Sequence, residues 1–210
     1  MVNVMIVEDQ KMIRSILERY ISDEEGYETV ASIAGARRAV ELCDTAAVNL
    51  VLMDVQTEFR ENGLIAAKKI KAAHPEIKIM IVTSLADREV LEQAKAAGVD
   101  SLWYKDSDEI AFMDAVRRTV GGERLFPDSP PPVEIGTSKS TDFTNAEMRV
   151  LRCLVKGMSY GATAAALGIE VTTVKYHVAN MLQKTNFENK LQLAIAASES
   201  KLVAELSGGD

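Results

Sequence analysis

Short runs of consecutive apolar residues alternate with amphipathic stretches through the first part of this chain. Residues 4–7, 29–33, 50–53, 77–82 and 101–104 are mostly continuous in their hydrophobicity. Strands of a parallel sheet read this way, because helices cover both of their faces. Between the first two runs, Met12, Ile13, Ile16, Leu17 and Tyr20 recur at helical spacing. The same periodicity predicts helices over about 36–46, 63–73, 87–97 and 107–120, the fourth ended by Gly98. Alternating β and α elements predict an α/β fold, a doubly wound five-stranded parallel sheet that binds ligands at the carboxyl ends of its strands.

The pattern then breaks. Four of the five prolines lie between Pro127 and Pro132, and Gly136-Thr137-Ser138-Lys139-Ser140-Thr141 follows. Consecutive prolines favour an extended spacer, and the polar run offers nothing to bury, so a linker is expected at 123–142. Beyond it the periodicity is all helical. Thr144-Asn145-Ala146-Glu147 has the form of a capping box, and Met148, Leu151, Leu154 and Val155 form one stripe behind it. Further helices are predicted at about 159–166, 171–184 and 189–205, with Gly168 between the first two. A short helix, a glycine turn and a longer helix make a helix-turn-helix, within a small all-α domain of four helices. The expected division is 1–122, 123–142 and 143–210.

Composition adds limits. The 210 residues suffice for two small domains, and 47% apolar with 26% charged residues is an ordinary globular balance. No stretch approaches the roughly 20 apolar residues of a membrane span. Met1-Val2-Asn3-Val4-Met5 carries no basic region before its apolar run, so it does not read as a signal peptide and a cytoplasmic location is expected. Cys43 and Cys153 stand far apart, outside metal-ligand spacing, and read as small buried hydrophobes. The net charge of −7 is uneven: 1–126 hold 16 Lys+Arg against 22 Asp+Glu, whereas 143–210 hold seven against six. That near-neutral second half argues against a protein that coats nucleic acid unspecifically, and fits a small specific reader acting as a dimer.

The candidate chemistry falls where an α/β sheet predicts it. Glu8 and Asp9 end the first strand, Asp54 the third and Thr83 the fourth, while Lys105 follows the fifth. Three carboxylates at one crevice repel each other unless a cation intervenes, and Mg²⁺ suits an all-oxygen set. Asp54 could then act as a nucleophile toward a phosphoryl group. Thr83 and Lys105 would offer a hydroxyl and a positive charge to its oxygens.

On these residues, 1–122 resemble a receiver domain of the two-component systems, with the CheY-like fold. Glu8 and Asp9 match the family's acidic pair, Asp54 its phosphoacceptor, Thr83 its hydroxyl position, and Lys105, within Trp103-Tyr104-Lys105-Asp106, its lysine. The resemblance implies phosphotransfer from a sensor histidine kinase with Mg²⁺, and that the backbone carbonyl of Gln56 joins the metal ligands. Two features depart from the family. Thr57-Glu58-Phe59-Arg60-Glu61-Asn62-Gly63 has no proline and one extra residue, which predicts a looser loop, and Leu102 occupies the family's aromatic switch position. A phosphatase of the haloacid dehalogenase type is disfavoured, because Gln56 stands where such enzymes want an acid/base Asp; the chain is not expected to be an enzyme.

Residues 143–198 resemble the LuxR-type helix-turn-helix that ends NarL/FixJ-type regulators. The resemblance runs from Phe143-Thr144 and Glu147 through Val150-Leu151, Gly157-Met158-Ser159, Ala164 and Leu167-Gly168-Ile169 to Thr173-Val174-Lys175, His177-Val178, Asn180, Leu182 and Lys184. On the helix at 171–184, Val174, Val178, Met181 and Leu182 share an apolar face, which leaves Thr172, Lys175, Tyr176, Ala179 and Gln183 to project outward. The resemblance implies base contacts from Lys175, Tyr176 and Ala179. Thr172, Thr173 and Lys184 complete the DNA-contacting set, Thr173 and Lys184 through backbone or structural roles. His177 is expected to pack. Gly161 and Glu170, the latter in place of a small hydroxyl cap, predict a less stable DNA-binding domain or one steadied by dimer contacts.

Leu191, Ile195 and Leu202 form a stripe on the last helix, read as core for Leu191 and Ile195 or as part of a dimer contact. The partners expected are double-stranded DNA, the kinase and a second copy of the chain upon phosphorylation. The alternative is a DNA-binding regulator that ignores phosphorylation and uses its receiver only to dimerise.

Overall fold

The computed structural model describes residues 1–105 and 109–203. The chain forms two compact units, divided between Ser129 and Pro130. In the first, strands β1 (Val2–Val7), β2 (Tyr27–Ile33), β3 (Leu50–Met53), β4 (Lys78–Thr83) and β5 (Ser101–Tyr104) alternate with helices α1 (Lys11–Ser22), α2 (Ala36–Cys43), α3 (Gly63–Ala73), α4 (Arg88–Ala96) and α5 (Glu109–Val120). The sheet is parallel, in the order β2-β1-β3-β4-β5. Residues 106–108, which include the first positions expected for α5 and Asp106 of the Trp103 motif, lie outside the described residues.

Both faces are filled at β1, β3 and β4, as their unbroken apolar runs require, whereas β2, at the sheet edge, alternates half-buried and exposed residues rather than being covered on both sides. Val4, Ile6, Leu50, Leu52, Met80 and Val82 pack on Leu17 and Ile21 of α1 and on Phe112, Met113 and Val116 of α5. Strand alternation sends Met5, Val7, Val51, Met53, Ile79 and Ile81 to the other face, and all six are buried. Trp103 sits edge-on to Phe112, their ring centroids 6.1 Å apart, on the α1/α5 face. At the opposite end of β4, Asp100 accepts from Ile79 N (2.9 Å), Lys71 Nζ (3.0 Å) and Lys78 Nζ (3.3 Å), so this buried carboxylate is fully satisfied.

The second unit is mostly helical: α6 (Asn145–Val155), α7 (Tyr160–Leu167), α8 (Val171–Thr185) and α9 (Lys190–Glu199). Thr144 and Glu147 form the capping box predicted for α6, Ser159 caps α7 through Ala162 N, and Glu170 gives α8 no side-chain cap. Gly168, at φ 65°, takes the left-handed turn between α7 and α8. Helix α9 stops at Glu199, short of the end expected at 205, and Lys201 takes left-handed backbone at φ 56°; residues 204–205 lie outside the described residues.

Two expectations need correcting. The stretch 133–142 is not a bare polar spacer. Strands β6 (Glu134–Ile135) and β7 (Ser138–Lys139) pair antiparallel, a 3₁₀ turn follows at Ser140–Asp142, and Ile135 is 2% exposed within the helical core. Val133 and Ile135, two apolar residues at strand spacing between the prolines and the polar run, were too short a signal to show this. Leu191 and Ile195 are not core: they are 66% and 48% exposed, whereas Leu193, Ala197 and Leu202 from the same region are buried. Helix α9 turns Leu193 and Ala197 inward in place of Leu191 and Ile195, while Leu202, beyond the end of the helix, is buried in the core.

Candidate functional site

Backbone register brings the acidic residues together. Val7 of β1 lies beside Met53 of β3, so Glu8 and Asp54 leave adjacent strands side by side, and Asp54 N donates to Val7 O (2.9 Å). Thr83 pairs with Tyr104, and Lys105 N donates to Thr83 O (3.0 Å), which carries Lys105 over the same end of the sheet.

The side chains converge there. Lys105 Nζ donates to Asp54 Oδ2 (2.7 Å) and to Glu8 Oε2 (2.5 Å). Asp54 Oδ1 accepts from Val55 N (2.6 Å), and Glu8 Oε1 from Gln10 N (3.0 Å). Glu8, Asp54 and Thr83 are buried, and Asp9 is exposed at the rim. Carboxylate oxygens of Glu8, Asp9 and Asp54 all lie within 4.8 Å of one another. Arg14 of α1 fixes the outer edge through Nη1 to Glu8 O (2.6 Å), a contact that no sequence pattern signalled.

The electrostatics follow from burial. Desolvation, then repulsion from Asp54, raises the Glu8 pKa above the usual carboxylate range against the pull of Lys105. Desolvation also raises Asp54. Burial on its own would lower Lys105, but Asp54 and Glu8 outweigh it and hold the ammonium charged. Glu8 and Asp54 thus share the Lys105 ammonium, and Asp9 adds a third carboxylate beside them, so the site gathers hard oxygen donors beyond those that the ammonium engages. A small divalent cation fits that donor set. Gln56 stands two residues beyond Asp54, half-buried and bridged antiparallel to Asn62.

The loop after Asp54 is tied to its surroundings. Thr57 Oγ1 accepts from Ala36 N (3.2 Å), Glu61 Oε2 from Arg37 N (2.8 Å), and Glu58 N donates to Ala34 O (3.0 Å). The first two bonds supply acceptors for the free N–H groups at the start of α2. Within this loop Phe59 and Arg60 both lie at φ 59°, and Phe59 is left 85% exposed. Leu102 is buried, and its N–H donates to Leu125 O (2.8 Å).

In the second unit, Val174, Val178 and Met181 of α8 are buried, while Thr172, Lys175, Tyr176, Ala179 and Gln183 form one exposed face, Tyr176 being 64% exposed. Thr173 and His177 are half-buried beside it, and the His177 ring lies 5.7 Å from that of Tyr176. Lys184 stands apart from this face. Its Nζ donates to Glu147 Oε2 (2.7 Å) and to Asp142 O (2.9 Å), an occupation inside the domain.

The comparisons agree with both halves. Residues 4–117 match the response regulator receiver domain, and 141–197 match the bacterial regulatory proteins of the luxR family. The response regulator protein VraR of Staphylococcus aureus is 31% identical over 207 residues, covering 96% of this chain and 99% of that one. VraR of Staphylococcus epidermidis is 30% identical over the same span, with the same coverage. Among solved structures, RcsB of Salmonella typhimurium superposes with a TM-score of 0.55 at 16% identity, covering 94% of this chain and 98% of that one. An RcsB–DNA complex gives a TM-score of 0.61 at 16% identity, with the same coverage. Likeness at such identity speaks for the fold, whereas the family matches speak for descent. The chain belongs to the two-component response regulators, as a DNA-binding transcription factor rather than an enzyme, with a receiver domain followed by a LuxR-type helix-turn-helix.

Proposed function

We propose that Asp54 is the phosphoacceptor of this regulator and that its phosphorylation controls sequence-specific DNA binding by α8. The observation that carries this reading is the convergence of Asp54, Glu8, Asp9 and Lys105 at one end of the sheet. A carboxylate oxygen of Asp54 attacks phosphorus, the N–P bond of a phosphohistidine on a sensor kinase breaks, and the histidine nitrogen keeps the electron pair. Lys105 then exchanges its bond to the Asp54 carboxylate for one to a phosphoryl oxygen, with Thr83 as a hydroxyl donor. Glu8, Asp9, Asp54 and the Gln56 carbonyl would hold Mg²⁺, which supplies charge to offset the phosphoryl oxygens.

In the second unit, Thr172, Lys175, Tyr176 and Ala179 enter the major groove, and Thr173 and Lys184 secure the helix that carries them. With one lysine on that face, a single copy neutralises few phosphates. Two copies on an inverted repeat bind more tightly, because the second contact is made at high effective concentration. RcsB, whose solved structures include two dimers bound to two DNAs, shares this fold at a TM-score of 0.62. Among the described residues no helix is long and apolar enough to cross a membrane, in keeping with a regulator that works in the cytoplasm.

The test is intact-mass measurement after incubation with a small-molecule phosphodonor and Mg²⁺. One phosphoryl group is expected on the wild-type chain and none on Asp54→Ala. Equal labelling of both would move the acceptor elsewhere. No labelling of either would favour a receiver that serves only to dimerise.

A further inference from the structure

Every helix leaves its last carbonyl oxygens without partners inside the helix, and the way they are satisfied fixes how that end is held. Helix α8 ends at Thr185, with Asn186 in the left-handed region at φ 58°. Two of its terminal carbonyls are taken by the hairpin that precedes the helical core. Thr137 Oγ1 donates to Lys184 O (3.0 Å), and Thr137 N donates to Thr185 O (3.2 Å).

The approach is close enough to dictate the residue beside Thr137. Gly136 lies at φ +59°, and a Cβ there would sit 2.1 Å from Thr185 O and 3.1 Å from Thr185 Cβ. Left-handed backbone alone would admit Asn, but that gap admits no side chain. The hairpin is itself anchored: Ile135 is buried in the cluster that holds Val174, Val178 and Met181 of α8. Lys184 adds a further tie, from Nζ to Asp142 O (2.9 Å) just past the hairpin. At the other end of α8 Glu170 makes no side-chain capping bond, and the helix is held there by the burial of Val174 and by the tight turn from α7. The hairpin adds to that packing a hydrogen-bonded hold on the carboxyl end of α8.

We propose that Gly136 and Thr137 are positioning residues for DNA recognition. The hairpin clamps the carboxyl end of α8 and so fixes the angle at which Thr172, Lys175, Tyr176 and Ala179 meet the groove. The inference rests on the reading of α8 as the DNA-contacting helix.

The experiment titrates the full chain with two duplexes, one selected by the wild-type chain from a random pool and one of the same composition with scrambled sequence. Thr137 is exposed, so Thr137→Ala removes one hydrogen bond without opening the core. It is expected to weaken the selected duplex by about threefold to tenfold, the range of one hydrogen bond, and to leave the scrambled duplex unchanged. Thr137→Ser, which keeps the hydroxyl, restores the wild-type ratio. Gly136→Ala lowers the ratio further. Gly157→Ala, at φ +75° with nothing within 4 Å, carries the same backbone strain without the contact and keeps the wild-type ratio. Equal loss on both duplexes, no loss in Thr137→Ala, or equal losses in Gly136→Ala and Gly157→Ala would overturn the proposal. Lys175→Ala is run alongside. If it leaves selected binding intact, the reading of α8 fails; if it weakens binding while Thr137→Ala does not, the clamp alone fails.

Discussion

The backbone of Asp54 and the α-carbon of Gly63 are closely apposed: a Cβ on Gly63 would lie 1.9 Å from Asp54 O and 3.0 Å from Met53 Cγ. Gly63 N also donates to Val55 O (2.9 Å), so the start of α3 is seated against the strand end that presents Asp54. The glycine that closes the loop thereby helps to place the acceptor. Gly63→Ala should destabilise the receiver by at least about 1–3 kcal/mol, the usual cost of overpacking, and should slow phosphorylation. Chemical denaturation and a labelling time course check both. Unchanged midpoint and rate would show that the contact relaxes freely.

Glu147 predicts a pH dependence for the second domain. It is buried, and its Oε2 accepts from Thr144 N (2.7 Å), Thr144 Oγ1 (3.0 Å) and Lys184 Nζ (2.7 Å). Burial pushes its pKa up, but the bonds from Lys184 and Thr144 outweigh that and leave it below 4.5. A carboxyl with a depressed folded-state pKa binds fewer protons folded than unfolded, so its contribution is present above the unfolded value and fades as pH falls through the folded one. Glu147→Gln should therefore cost about 1–2 kcal/mol at neutral pH. The gap between wild type and variant should close below pH 4.5. Paired urea titrations across that range measure it; a gap independent of pH would contradict the assignment.

Helix α7 holds unused stability. Thr163 is fully buried, and its Oγ1 has no hydrogen-bond partner among the described residues. Gly161 lies in the first turn of the helix, where a Cβ would meet only Ser159 Oγ, at 3.9 Å. Thr163→Val removes the unsatisfied hydroxyl at nearly constant volume and should stabilise by about 1–2 kcal/mol. Gly161→Ala should add up to about 1 kcal/mol, the limit set by helix propensity at an interior position. Thermal unfolding of the single and double variants checks the values. A destabilised Thr163→Val would mean that the hydroxyl finds a partner in solution.

Lys175 and Lys184 separate DNA contact from scaffolding on one helix. Lys175 is exposed on the outer face, whereas Lys184 is committed to Glu147 and Asp142. Lys175→Ala should cost about 1–3 kcal/mol in specific binding if it reads a base, and should relax the preference at that position. Lys184→Ala should lower the stability of the domain and leave the salt dependence of binding unchanged. A reduced salt slope in Lys184→Ala would show that its ammonium reaches phosphate after all.

The receiver was legible because each of its signals repeats. Five apolar runs, each followed by a helix, place a polar group at the end of the first, third, fourth and fifth strands, and the register then only has to bring Glu8, Asp54 and Lys105 together. The exposed and buried faces of α8 were equally readable, since helical spacing sorts Val174, Val178 and Met181 from Lys175 and Tyr176. What escaped depends on single residues in tertiary context. Val133 and Ile135 are only two apolar side chains beside a polar run, and the burial of Ile135 follows from core packing rather than local pattern. Leu191 and Ile195 fit an apolar stripe as well as Leu193 and Ala197 do, and only packing selects the second pair. Phe59 and Arg60 are poor formers of left-handed backbone, so no rule of composition places them there.

Control of DNA binding by Asp54 is tested most directly by the affinity of the full chain for its selected duplex. The titration is run with Mg²⁺ present, before and after treatment with a small-molecule phosphodonor, in wild type and Asp54→Asn. Tighter binding by the treated wild type is expected, accompanied by dimer in sedimentation, with no response from Asp54→Asn. Equal affinity of the wild-type chain before and after verified phosphorylation, or an equal response from Asp54→Asn, would contradict that control.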